Sequence, residues 1–221
     1  MELSEAILQK LPYWEKLTNE EKRLLAANCT VRQYRKGEIV HGGNYECLGQ
    51  IFVLSGEIRT YLLSEEGREV TLFMLREGNP CVLSASCILS QITFETQMKA
   101  MKTTDLLIIH LGAFQRIINQ NIYVRCFMFE LATERFSQVM WSMQQILFMG
   151  FDRRLASYLL GEYERTGSKY IRMTHEQIAE QVSSAREVVA RMLKRFAADG
   201  LIEAERGTIR LISLDGLRRL I

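Results

Sequence analysis

The stretch Thr174-His175-Glu176-Gln177-Ile178-Ala179-Glu180-Gln181-Val182-Ser183-Ser184-Ala185-Arg186-Glu187-Val188-Val189-Ala190-Arg191-Met192-Leu193-Lys194-Arg195-Phe196 decides how this chain is read. Thr174 with Gln177 three residues on has the form of a capping box, in which a hydroxyl and an amide satisfy two orphan N–H groups of a helix start. Ile178, Ala179 and Val182 then fall on one face. Ser184 with Glu187 predicts a second capping box, and Val189, Met192 and Phe196 predict the buried face of a second helix. Two short helices with a tight turn between them, the second carrying Arg186, Arg191, Lys194 and Arg195, predict a helix-turn-helix. Downstream, Asp199-Gly200 reads as a turn into a strand. Arg206-Gly207 closes a hairpin with 208–212, which supplies a wing.

That arrangement implies contact with nucleic acid. The first turns of the second helix would enter a major groove, presenting Arg186, Glu187 and Val188 to base edges. Arginine can bond bidentately to guanine O6 and N7, glutamate can accept from cytosine N4, and valine can touch a thymine methyl. Arg191 lies one turn after Glu187 on the same face, and Lys194 continues it. Thr174 and Ser184 sit at helix N-termini, where hydroxyls and N–H groups hold phosphates.

Composition sets the frame. The 221 residues are 48% apolar and 24% charged, with 28 Lys and Arg against 26 Asp and Glu, which excludes both a uniformly basic chain and a disordered polyelectrolyte. The positive charge is concentrated toward the C-terminus: residues 151–221 carry 13 basic against 10 acidic side chains. No run approaches the roughly 20 apolar residues of a membrane span. No secretory signal is visible, and the five cysteines are odd in number with no C-x-x-C pair, so a cytoplasmic, reducing location is expected. Three scattered histidines, no nucleophile elbow, no P-loop and no metal-ligand spacing argue against an enzyme.

Upstream of the helix-turn-helix the texture changes twice. Thr18-Asn19-Glu20-Glu21 signals a helix start near the N-terminus. Between about 30 and 112, glycines at 37, 42, 43, 49, 56, 67 and 78 punctuate short β-rich runs, including 51–54, 58–63 and 70–75, with Glu65-Glu66-Gly67 as a turn. Many short strands without α/β alternation predict an antiparallel roll or barrel. From 119 to 149 the period becomes helical. Phe129, Ala132, Phe136, Val139, Met143 and Ile146 follow a 3-4 spacing that predicts a two-stranded coiled-coil seam and a homodimer. Thr133, Met140 and Leu147 form a flanking column expected to pack on the roll. Gly150-Phe151-Asp152 reads as the break before the next helix. The domains expected are therefore 1–118, a dimerisation helix over 119–150, and 151–221.

In this order of parts the chain resembles the Crp–Fnr family of bacterial transcription regulators over nearly its whole length, and Arg186-Glu187-x-x-x-Arg191 looks like the family's base-reading R-E-x-x-x-R. The resemblance implies an α+β fold: an N-terminal antiparallel β-roll like that of cyclic-nucleotide-binding domains, a long dimerisation helix, and a C-terminal winged helix-turn-helix. It also implies an inverted-repeat operator in double-stranded DNA, RNA polymerase as a partner, and phosphate or turn contacts at Thr174, His175, Ser184 and Ala185. Ser183 stands where the family has its turn glycine, and Ala185 where a phosphate-contacting serine is common.

The effector site departs further from that family. Val82-Leu83 and Phe94-Glu95 occupy the places of the Gly-Glu and Arg-Ser pairs that hold cyclic AMP, so the arginine for the cyclic phosphate is missing and cyclic AMP is not the expected effector. The pocket expected comprises Val82, Leu83, Ser84, Ser86, Phe94, Thr96, Met98 and Met140, lies between roll and long helix, and suits an apolar or uncharged molecule. No clustered cysteines precede the roll, which disfavours an iron–sulfur cluster. Heme is the cofactor to consider otherwise, with His41, His110 and Cys81 as its conceivable ligands. Cys81 and Cys87 flank the pocket segment as a conceivable thiol switch. The competing reading is a metabolite, heme or redox sensor module in which DNA binding is secondary.

Overall fold

A computed structural model describes residues 5–42, 48–81, 96–205 and 207–221. They form two compact units, 5–67 with 72–140, and 68–71 with 141–221.

The first unit opens with α1 (Glu5–Leu8), a 3-10 turn (Trp14–Lys16) and α2 (Asn19–Ala27). Thr18 caps α2 with the reciprocal box its sequence promises: its hydroxyl accepts from Glu21 N, and the Glu21 carboxylate accepts from Thr18 N at 2.7 Å. Among the described residues eight strands follow: β1 (Cys29–Tyr34), β2 (Ile39–His41), β3 (Gln50–Ser55), β4 (Glu57–Leu63), β5 (Glu69–Arg76), β6 (Pro80–Cys81), β7 (Gln97–Ala100) and β8 (Thr104–Ile109). They make two four-stranded sheets, in the orders β1-β8-β3-β6 and β2-β7-β4-β5. The expected antiparallel roll is present.

Its central strand shows why the pattern is apolar rather than alternating. Leu106, Leu107, Ile108 and Ile109 of β8 are all buried, because β8 lies between β1 and β3 and both its faces are covered. Gly56 makes the corner from β3 to β4 with φ +91°, and a Cβ there would meet the Thr103 carbonyl at 2.6 Å. In the second sheet, Ile58, Thr60, Met98 and Ala100 share one face, paired as Ile58↔Ala100 and Thr60↔Met98, and all four are buried.

Two helices close the roll: α3 (Leu111–Gln120) and α4 (Ile122–Phe148). The expected helix over 119–149 thus starts at Ile122. Asn121 is the reason. Its carbonyl oxygen accepts from Tyr123 N and Val124 N, capping α4, while its amide donates to Lys16 O and Glu21 Oε2. One buried side chain ties the start of α4 to the α2 capping box. At 1.5 Å per residue α4 is about 40 Å long. Its Val124, Met128, Leu131 and Arg135 are buried, at helical spacing of four, three and four, on the face that joins the core of the roll.

The second unit contains α5 (Phe151–Thr166), β9 (Tyr170–Ile171), α6 (His175–Gln181), α7 (Arg186–Ala198), β10 (Ile202–Glu205), β11 (Thr208–Leu211) and α8 (Leu214–Arg218). Leu155, Leu159, Ile178, Val189, Leu193, Phe196, Ile209 and Leu217 are among the residues of its separate apolar core. The wing is a three-stranded sheet, β10-β11-β9, one strand more than the sequence reading supplied.

Candidate functional site

The helix-turn-helix is built as its residues dictate at the first helix and differently at the second. Thr174 caps α6: its hydroxyl accepts from Gln177 N at 3.2 Å, and Gln177 Oε1 accepts from Thr174 N at 2.9 Å. A hydroxyl that accepts one bond still has its own hydrogen to donate to a phosphate. His175 is half-buried in the first turn. Ile178 and Ala179 are buried on α6 and Val182 is its C-cap residue, so the small Ala179 lets the helices approach. Ser183 turns the chain with φ 51°, the only positive φ of a non-glycine residue among those described, where the resemblance implies a glycine.

The capping box expected at Ser184 and Glu187 is not formed. Helix α7 begins at Arg186, so its N-cap is Ala185, which has no side-chain acceptor. Ser184 instead donates its backbone N–H to Ala179 O, inside the turn. This frees Glu187. Its carboxylate is exposed, is not used as a cap and makes no described intramolecular contact. Val188 is half-buried. Met192, expected on the buried face, is half-buried, and Leu193 is buried in its place.

Arg186, Glu187, Arg191 and Lys194 form one exposed stripe along α7, with no intramolecular ion pair among the described residues. Arg195 lies aside, 3.7 Å from Asp199. The sequence reading passed over Arg172, exposed just ahead of α6. It also passed over Tyr170, exposed on β9 with the Arg210 guanidinium 5.9 Å from its ring centroid. The signal for β9 was faint, two residues between a glycine-terminated helix and a cap.

On α4 the expected seam divides. Phe129, Phe136 and Met143 are exposed, Phe136 at 66%, whereas Ala132 and Val139 are half-buried against the roll's own core and Ile146 is half-buried. Thr133, Met140 and Leu147, expected to pack on the roll, are exposed instead. The uncovered column is Ile122, Cys126, Phe129, Thr133, Phe136, Met140, Met143 and Leu147, an unbroken 4-3-4-3 repeat.

Of the expected effector pocket, Val82, Leu83, Ser84, Ser86 and Phe94 lie outside the described residues, as does Cys87. Thr96 and Met98 are buried in the roll. A cation that the sequence reading did not include is buried on α4. Arg135 is only 5% exposed, and its guanidinium lies 5.1 Å from the centroid of the Phe73 ring. Its Nη1 donates to Gln138 Oε1 at 2.7 Å and its Nη2 reaches Pro80 O at 3.4 Å, while the buried Nε has no acceptor.

The conceivable heme ligands lie on three different elements: Cys81 is buried in β6 of one sheet, His41 is half-buried in β2 of the other, and His110 is exposed at the start of α3. Burial pushes the Cys29 thiol up to about 12, which makes it a poor nucleophile. The neighbouring Tyr13 hydroxyl is also held well above its usual value, by burial first and by Cys29 second, and donates to Gln50 Oε1 at 3.0 Å. No helix among the described residues is long and apolar enough to cross a membrane.

Comparison with known proteins agrees with this anatomy. Residues 31–121 match the cyclic nucleotide-binding domain family and residues 153–220 the Crp-like helix-turn-helix domain. The transcriptional regulatory protein btr of Bordetella pertussis is 34% identical over 80 residues, 33% of each chain, so the match spans about a third of that curated relative. A transcriptional regulator of the crp/fnr family from Eubacterium rectale superposes with a TM-score of 0.89 at 40% identity, over 96% of this chain and 98% of that one. The c-di-GMP responsive global regulator CLP of Xanthomonas campestris shares the fold at 18% identity, with a TM-score of 0.72 over 89% of this chain and 100% of that one. With a roll of two antiparallel sheets, a long helix and a winged helix-turn-helix, matched from end to end at 40% identity, the chain belongs to the Crp/Fnr family of transcriptional regulators.

Proposed function

We propose that this protein is a homodimeric, cytoplasmic, sequence-specific DNA-binding regulator that reads an inverted repeat through α7 and is controlled by a small effector held between the roll and α4. The observation that carries the reading is the α7 stripe. Arg186, Glu187, Arg191 and Lys194 are exposed on one face of a helix start and are not engaged by the rest of the chain. Arg186 and Arg191 serve as guanine donors, Glu187 as a cytosine acceptor, and Val188 as an apolar contact for a thymine methyl. Lys194, Thr174, His175 and Ser184 hold the phosphate backbone and set the register of the helix in the groove.

Dimerisation runs along the exposed column of α4 from Ile122 to Leu147 rather than along the column containing Ala132 and Val139. A helix this apolar on its outer face needs a partner, and a second copy in parallel supplies the same repeat. A dimer with two helix-turn-helix units is expected to read half-sites about one helical turn, ~34 Å, apart. RNA polymerase is the further partner of a regulator of this kind.

Selection of bound duplexes from a random-sequence pool tests the proposal. An enriched, two-fold symmetric motif is expected. Binding that enriches nothing and merely weakens with salt would leave a non-specific electrostatic surface, contrary to it.

A further inference from the structure

Several buried polar atoms of the roll lack a hydrogen-bond partner, Gln50 Nε2, Thr60 Oγ1 and Arg135 Nε among them. The Nε of Arg135 and the hydroxyl of Thr60 are two that lie toward the apolar core. Thr60 is fully buried on β4 and faces inward, beside Met98 across the β4–β7 ladder. Met98 and Phe73, over which the Arg135 guanidinium lies, belong to one apolar cluster that also takes in Met128 and Leu131 of α4. A core of this kind ordinarily satisfies its polar atoms or excludes them. An apolar compartment with a few unsatisfied polar groups is the usual form of a small-molecule site.

The Arg135 fork shows which ligand chemistry fits. One side, Nη1, is engaged by Gln138 and lies 3.5 Å from the Glu134 carboxylate. The other edge, Nε with Nη2, has only the long contact of Nη2 to Pro80 O. Two parallel N–H groups on one planar edge are the complement of a carboxylate's two oxygens. The Nε/Nη2 edge suits one singly charged group better than a phosphate monoester, whose second charge would find no cation on that edge. The remainder of the cluster is apolar.

We infer that the regulator's effector is a small monocarboxylic acid with an apolar body, its carboxylate seated on the Nε/Nη2 edge of Arg135 and its body among Phe73, Met98, Met128 and Leu131. The inference rests on the reading above that an effector binds between roll and α4, and it replaces the uncharged molecule expected from the sequence. Because Arg135 sits on α4, the helix that carries the dimer column, the carboxylate would draw that helix onto the roll and so bias a two-state equilibrium.

Calorimetry on the full-length protein tests it, with octanoate and phenylacetate as probes, 1-octanol as the uncharged counterpart and cyclic AMP as the nucleotide. At least one carboxylate should bind the wild type. Arg135→Met should weaken it about 10- to 150-fold, the range of a lost charge-assisted hydrogen bond, with Arg135→Lys between the two. Without ligand, Arg135→Met should unfold at the same temperature as the wild type or higher, since it removes a buried unsatisfied donor; a purely structural arginine would lower it. Equal carboxylate affinity in Arg135→Met, or no binding of either carboxylate to the wild type, would overturn the inference. Binding of 1-octanol as tight as octanoate would also overturn it while keeping an effector in the roll. Binding of cyclic AMP in place of the carboxylates would do the same. Repeating the random-sequence selection with Arg135→Met separates this from the DNA-reading proposal, which predicts the same motif.

Discussion

Helices α4 and α7 are inverted with respect to one another. In α7 the ordinary arrangement holds: Val189, Leu193 and Phe196 are buried and Arg186, Glu187, Arg191 and Lys194 face outward. In α4 the outward column is apolar, with Phe136 and Leu147 about two-thirds exposed, and the inward stripe ends in a cation, Arg135. Each inversion points to something outside the single chain. An exposed apolar repeat calls for a second helix, and a buried charge with an unsatisfied N–H calls for an anion. The charged face of α7 is ordinary by the same standard and could belong to any solvated helix. Its position after a tight turn, with the residue types that match base edges, gives it meaning.

The largest effect should come from restoring an ordinary outer face to α4. Phe136→Glu places a carboxylate beside its symmetry mate in the proposed column. Sedimentation should show a monomer at micromolar concentration, since two like charges buried side by side cost several kcal/mol. A dimer of unchanged mass would show that the column is not the interface. The register can be checked without disturbing packing. Cys126 lies in the exposed column, so mild oxidation of the dimer should join the two Cys126 residues, as a parallel seam brings their Cα atoms within disulfide range, about 4.4–6.8 Å. Absence of that cross-link in a confirmed dimer would favour the column through Ala132 and Val139.

A smaller effect belongs to α7. Ala185 is the N-cap and gives the helix no side-chain acceptor. Ala185→Ser should stabilise the second unit by about 1 kcal/mol, typical of a recovered cap. Urea unfolding followed on this unit's aromatic signal would read the change. An unchanged midpoint would mean that solvent already satisfies the first turn.

Much of this was legible before any coordinates. The capping box at Thr174 and Gln177 and the apolar period of α6 and α7 gave the helix-turn-helix, and the glycine-punctuated runs gave the roll. The second cap was placed one residue early because Ser184-x-x-Glu187 has the right spacing. Ser183 at φ 51° delays the helix, and the cap position falls on Ala185. The proposed α4 column differs from the seam expected from the sequence because the helix is apolar on most sides, so two heptad registers fit equally. Only burial of Val124, Met128 and Leu131 against the roll separates them. Arg135 was illegible for a related reason: a charge inside a helix is ordinarily a solvated one. Helix α3 and the short β9 left signals too weak to separate from their neighbours.

The central claim, that α7 reads sequence through its exposed stripe, is tested most directly with Arg186→Ala. Its affinity should be measured on the selected duplex and on a scrambled duplex of equal length at one salt concentration. The account predicts a loss of about 1–3 kcal/mol on the selected duplex and little change on the scrambled one, because a bidentate guanine contact is lost while the phosphate contacts stay. Equal losses on both duplexes would make Arg186 a phosphate contact and contradict the account.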